Sequence, residues 1–378
     1  MECPHIPLIN YGDFSKRFHD KILSRRIPTD GSIEVTARCN LRCVHCYINL
    51  PLNDHAAQEK ELSYKEFCNI IDQIVDEGCL WLLLTGGEPF IRQDFLDIYT
   101  YAKKKGMLIT IFTNGTTITP HIADYLAEWK PFSLEITLYG RTKETYETVT
   151  RIPGSYEKCI QGIELLLERK LPLKLKTMVM TVNKHEIWDM KKYAEELGVE
   201  FRFDPVLNLR VDGNQKPAEF RISPEEVVAL DLADEKRIKE WREFCDKFGG
   251  PPQNPEYTYQ CGAGKGIFHI DPCGKLSACM IARYPSYDLR KGNFRNGWRD
   301  FIPDIIAQKW SQETPCRNCE LFSLCGQCPG FAQIEHGIQE EPVEYLCHIA
   351  HQRAEAFELT QKLEKNMTLK EEKIRTNY

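Results

Sequence analysis

Residues 39–46 read C-N-L-R-C-V-H-C, three cysteines and a histidine directly after the apolar, β-prone run S-I-E-V-T-A at 32–37. A tetrahedral zinc ion would need all four of Cys39, Cys43, His45 and Cys46. His45 and Cys46 are adjacent, and their side chains point apart in most backbone conformations, so one ion is hard to wrap. A cubane iron–sulfur cluster held by three thiolates fits the x3, x2 spacing better, and it leaves one iron open to a ligand from outside the chain.

Working outward, residues 32 to about 207 alternate short apolar runs with amphipathic stretches of helical period, the signature of successive β–α units. Strands are expected at 32–37, 79–85, 107–113, 132–138, 173–181 and 199–207, and helices at 63–77, 94–105, 119–129, 155–169 and 185–197. Ser63 with Glu66 reads as a capping box, and Ser155 as a second cap residue. Six strands with five intervening helices imply a parallel sheet, open or curled into part of a barrel. The working loops of such folds follow the C-terminal ends of the strands. Here those loops are the cysteine loop, T-G-G-E-P (85–89), T-N-G (113–115) and T-L-Y-G (137–140), which together define one site. Gly86, Gly87, Glu88 and Pro89 offer unhindered backbone for an amino-acid-like group. Thr113, Asn114 and Thr137 offer hydroxyl and amide partners for a ribose or carboxylate.

The chain has 378 residues, 28% charged and 42% hydrophobic, with a formal net charge of −6. The acidic balance argues against a nucleic-acid partner, and no apolar run is long enough to span a membrane. A cytoplasmic location is expected. Sixteen cysteines in a reducing compartment point to metal ligation wherever they cluster. Cys3, Cys68, Cys79, Cys159 and Cys245 stand alone and read as small buried hydrophobes. Cys261, Cys273, Cys279, Cys316, Cys319, Cys325, Cys328 and Cys347 form a second group in the last third.

Cys39-x3-Cys43-x2-Cys46 followed by T-G-G-E-P resembles the radical S-adenosylmethionine (SAM) enzyme superfamily. The resemblance implies a partial (β/α)6 barrel of the TIM type, within an α/β fold, and a [4Fe-4S] cluster whose open iron binds SAM. One electron then cleaves the S–C5′ bond, and the 5′-deoxyadenosyl radical takes hydrogen from a substrate. By family position Gly86, Gly87 and Glu88 meet the methionyl amino group, Asn114 and Thr137 face carboxylate and ribose, and His45 packs near adenine. Arg151, in R-I-P-G-S-Y, matches an arginine that could pair with the carboxylate. Relatives often read S-L-D-G where this chain has T-L-Y-G, so the usual acidic residue is replaced by Tyr139.

The second cysteine group resembles the SPASM extension, a small α+β iron–sulfur domain with two auxiliary [4Fe-4S] clusters. The resemblance assigns Cys261, Cys279 and Cys328 to the first and Cys316, Cys319, Cys325 and Cys347 to the second. The fourth position of the first is left to Cys273, Cys245, substrate or nothing. The expected organisation is an N-terminal extension (1–31), the radical SAM barrel (32–222), a helical linker (223–260), the SPASM domain (261–350) and a charged helix and tail (351–378). The expected activity is modification of a ribosomally made peptide, with electrons from a ferredoxin- or flavodoxin-type donor. Only about thirty residues precede the first strand, too few for a leader-binding domain, which raises the rival of a tetrapyrrole or other small-molecule substrate. An electron-transfer iron–sulfur protein would explain the cysteines but not the G-G-E-P, T-N-G and T-L-Y-G loops.

Overall fold

The computed structural model describes residues 25–48 and 50–357, together with residues 17, 21 and 22. Most of the N-terminal extension and the tail beyond 357 therefore lie outside the described residues. Six parallel strands form the centre: β1 (Asp30–Glu34), β2 (Trp81–Thr85), β3 (Leu108–Thr113), β4 (Ser133–Thr137), β5 (Leu173–Met178) and β6 (Glu200–Asp204). They neighbour one another in chain order, so each crossover steps the same way round, as in a barrel. The ring does not close. The free edge of β1 pairs in parallel with β7 (Ile267–Ile270), which turns back into β8 (Lys275–Ser277) and then β9 (Tyr287–Asp288), giving nine strands in one sheet.

Helices α1 (Tyr64–Asp76), α2 (Phe95–Lys104), α3 (Pro120–Glu128), α5 (Ser155–Glu168) and α6 (Ile187–Glu196) fall where the apolar periodicity put them. The Ser63–Glu66 capping box is formed, with Ser63 N donating to Glu66 Oε2 at 2.8 Å. Ser155 is not a cap: Gly154, at φ 76°, occupies that position, and the Ser155 hydroxyl meets Thr150 Oγ1 at 2.7 Å. Helix α4 (Lys143–Thr150) was not expected, because K-E-T-Y-E-T-V-T is short and rich in β-branched residues. The helical linker expected at 223–260 holds two helices, α7 (Pro224–Leu232) and α8 (Glu235–Phe248), with Asp234 capping the second.

Backbone hydrogen bonds hold the cysteine loop from two sides. Gly87 N donates to Thr36 O at 2.8 Å and Glu88 N to Arg38 O at 3.0 Å, so the second loop lies directly against the approach to Cys39. That closeness explains both glycines: a Cβ on Gly86, at φ +136°, would sit 2.2 Å from Thr36 O, and one on Gly87 2.1 Å from Arg38 O. On the far side of the loop, Arg42 N and Val44 N donate to Thr150 O and Val149 O at the end of α4 (2.9 and 3.0 Å).

A buried charge cluster ties the same loop to the C-terminal third. Glu34, at the end of β1, is fully buried and takes both Nη atoms of Arg283 (3.0 and 2.5 Å), while Tyr47, next to Cys46, donates to Glu34 Oε1 at 3.1 Å. His269 Nε2 lies 3.8 Å from Glu34 Oε2, beyond hydrogen-bond reach but close enough to act by charge. Burial pushes the Glu34 carboxyl up, and His269 and Arg283 together outweigh it, drawing it down to about 2.

Gly87→Ala should destabilise the protein by roughly 1–3 kcal/mol, because the added methyl meets backbone that cannot yield, and urea unfolding would measure it. Glu34→Gln should cost about 3–5 kcal/mol by stranding Arg283. In the wild type the Glu34 contribution is complete above its ordinary value of 4.5 and is lost as pH falls toward about 2. The stability difference between wild type and variant should therefore narrow below pH 4.5.

Candidate active site

A cavity of about 550 Å³ opens at the C-terminal ends of the strands. Its wall includes His45 and Cys46 from the first loop, Gly86 and Gly87 from the second, Thr113 and Asn114 from the third, and Thr137 and Tyr139 from the fourth. The four loops singled out in the sequence therefore do meet at one place.

Their side chains divide the work in a way the sequence did not reveal. Glu88 is fully buried and does not line the cavity. Its carboxylate accepts from Thr113 Oγ1 and Asn114 N at 2.8 Å each, and from Phe90 N and Thr117 Oγ1 at 3.2 Å each, so it binds the second loop to the third. Burial raises its carboxyl against the pull of those donors. The Thr113 hydroxyl is spent on Glu88 and on accepting Gly115 N (3.1 Å). Asn114 Nδ2 reaches Asn40 Oδ1 at 2.9 Å and Cys39 Sγ at 3.7 Å, fixing the first cysteine from the third strand. Pro89 also stands outside the cavity. Arg151 is exposed, in the left-handed C-cap of α4 at φ 59°, and does not line it either. The basic side chains that do line it are Lys176, Arg202, Arg237 and Arg353.

The chain's own groups fit a cluster and its nucleoside ligand. Burial pushes the Cys39 thiol up to about 12, with Glu88 adding to it, and burial likewise raises the Cys43 thiol well above its ordinary range. Thiolates at such a site need a multiply charged cation to offset them. Among the described residues no three His, Cys, Asp or Glu side chains converge on a single metal ion. A cubane asks for something else, thiolates spread over separate corners. His45 packs edge-on against Tyr139 with ring centroids 5.0 Å apart, and its Nδ1 is buried without a hydrogen-bond partner. Burial lowers that imidazole to about 4, so the wall it offers is neutral and carries a nitrogen awaiting a partner.

The later cysteines fall into two neighbourhoods. Cys261 and Cys279 both act on the Cys328 thiol, and Phe331 N and Ala282 N donate to Cys328 Sγ (3.3 Å) and Cys279 Sγ (3.2 Å). Cys316, Cys319 and Cys347 act together on Cys325. The charges around Cys273 are Asp271, Arg290, Lys60 and Glu61, and no cysteine of either set is among them.

Lys176 and Arg202 could have been found from sequence, since the ends of β5 and β6 also face the rim. Arg237 and Trp241 on α8, Arg353 on α9 (Glu344–Ala356) and Met280 after β8 could not, because they reach the cavity from remote parts of the chain.

Comparison with known proteins agrees with this geometry. Residues 33–194 match the radical SAM superfamily. The chain is 27% identical over 335 residues to the AdoMet-dependent heme synthase of Methanosarcina barkeri, covering 82% of this chain and 94% of the relative. It is 27% identical over 307 residues to the mycofactocin maturase MftC of Mycolicibacterium smegmatis, covering 78% and 76%. In fold it resembles Streptococcus suis SuiB bound to its precursor peptide SuiA, with a TM-score of 0.66, 16% identity, and 92% and 84% of the two chains covered. No described helix is long and apolar enough to cross a membrane. Residues 33–194 are thus a radical SAM domain, and the protein is an enzyme of that superfamily.

Proposed function

We propose that the protein reductively cleaves SAM and uses the product to remove hydrogen from a ribosomally made peptide, which it crosslinks, oxidises or epimerises. The observation that carries this reading is the single cavity in which Cys46, the two glycines and the neutral His45 share a wall with a broad aromatic and basic extension. A [4Fe-4S] cluster bound through Cys39, Cys43 and Cys46 would supply the electron that cleaves SAM. The chain's part is positional. Gly86 and Gly87 admit the methionyl end at the strand tip, His45 and Tyr139 wall the adenine, Thr137 borders the ribose, and Glu88 holds the second and third loops in register.

The two cysteine neighbourhoods support two auxiliary clusters, held by Cys261, Cys279 and Cys328 and by Cys316, Cys319, Cys325 and Cys347. Burial around Cys279, Cys325 and Cys328 excludes water from those thiols, which suits electron storage. An external ferredoxin- or flavodoxin-type donor would deliver electrons. The likeness to a heme synthase over 94% of that relative favours a second reading, in which the substrate is a tetrapyrrole.

Replacing Cys39, Cys43 and Cys46 by Ala should abolish 5′-deoxyadenosine formation under reduction; undiminished formation would remove the enzymatic reading. Cys316→Ala should keep that formation, drop bound iron from about 12 to about 8 per chain, and stop product formation. Incubation with precursor peptides encoded nearby, read by mass spectrometry, separates the substrates. Turnover of SAM with every peptide mass unchanged would exclude the peptide reading, and co-purified porphyrin absorbance would favour the second.

A further inference from the structure

Past the strand tips the cavity is bounded by two arginines from outside the barrel, Arg237 on α8 and Arg353 on α9. They share one anchor. Asp231, fully buried on α7, accepts Arg237 Nη2 on Oδ1 at 2.5 Å and Arg353 Nε on Oδ2 at 2.9 Å. Arg353 Nη1 is held by Leu324 O at 3.2 Å. Each guanidinium also stacks on an aromatic ring of the cavity wall: Arg237 lies 4.4 Å from the Phe203 centroid and Arg353 4.1 Å from that of Trp241.

Such clamping fixes both arginines in place and leaves each with a donor in hand. Among the described residues neither Arg237 Nη1 nor Arg353 Nη2 has a protein acceptor. One buried carboxylate also serves two cations, so the wall behind the cavity carries excess positive charge. The nearest acidic group in the cavity is Asp204, at the end of β6, one oxygen of which is taken by Val206 N at 2.9 Å. Burial raises its carboxyl in spite of Arg237, Arg353 and Arg202, so its hold on a negative charge is weakened. Arg202 has its own partner in Glu135 at 2.6 Å.

We infer that Arg237 and Arg353 form a subsite for a carboxylate of the substrate, whose apolar stem packs between Phe203 and Trp241. Paired N–H donors on rigid guanidiniums match the two oxygens of a carboxylate, and an amide or ester in the same place would leave one donor unmet. The inference rests on the reading of this cavity as the substrate site. The carboxylate could end a peptide or branch from a tetrapyrrole; its chemistry at the arginines is the same.

The test uses the reconstituted, cluster-loaded protein and ligand-observed NMR. N-acetyl-L-phenylalanine should bind about tenfold or more tighter than N-acetyl-L-phenylalaninamide, as a charge-assisted pair of hydrogen bonds requires. Arg237→Gln, which leaves Arg353 on Asp231, should bring the acid down to the level of the amide. Arg353→Lys, which keeps a cation for Asp231 but removes the fork, should do the same. A cooperative thermal unfolding transition in each variant checks that it is folded. Protoporphyrin IX against its dimethyl ester forms the second arm, and acid preference in either arm that is lost in both variants supports the subsite. Equal binding of acid and neutral form in both arms, or a preference that survives both substitutions, overturns it. 5′-Deoxyadenosine release by the wild type reads the radical chemistry separately, since its absence would remove that function and leave the carboxylate preference standing.

Discussion

The close passage of Gly86 and Gly87 over the backbone of Thr36–Arg38 is the constraint on which the site depends. It is a backbone-to-backbone contact with no room for a Cβ on either glycine, and it sets how the cysteine loop leaves the first strand. From there the order propagates sideways. Glu88 carries it to the third strand through Thr113 and Asn114, and Asn114 returns it to Cys39. Three loops distant in sequence thereby share one geometry, braced by hydrogen bonds within the chain itself.

The Glu34–Arg283–Tyr47 cluster solves a different problem. A partial barrel has an open edge beside its first strand, and β7 covers it with residues more than two hundred positions downstream. The ion pair fastens that junction within reach of the cavity, since Tyr47 and Met280 both line it and the Tyr47 hydroxyl meets Met280 Sδ at 3.4 Å. An isolated buried pair adds little net stability, but it penalises any arrangement that leaves one partner unpaired. It therefore acts on register more than on overall stability.

Much was legible in advance because it was periodic or local. The six parallel strands, five of their helices, the Ser63 cap and the convergence of the four loops follow from apolar spacing and strand-end chemistry. What local pattern did not reveal has physical reasons. Helix α4 carries too little apolar periodicity to stand out, yet its last carbonyls dock the cysteine loop. Glu88 sits at a strand tip, yet its carboxylate turns inward onto Thr113 and Asn114, while Thr113 also borders the cavity. Arg151 carries the right charge in a matching motif, and a left-handed cap directs it to solvent.

By itself, then, the sequence determined the cysteine triad, the glycine pair beside it and the alternation that builds the sheet, since each depends on residues close together in the chain. Tertiary structure alone decided that β7 extends the barrel sheet, and that Arg237 and Arg353 meet over Asp231 at the far wall of the cavity. Such meetings depend on how remote helices pack. No local pattern encodes that packing, because it minimises the exposed apolar surface and unpaired charge of the whole chain.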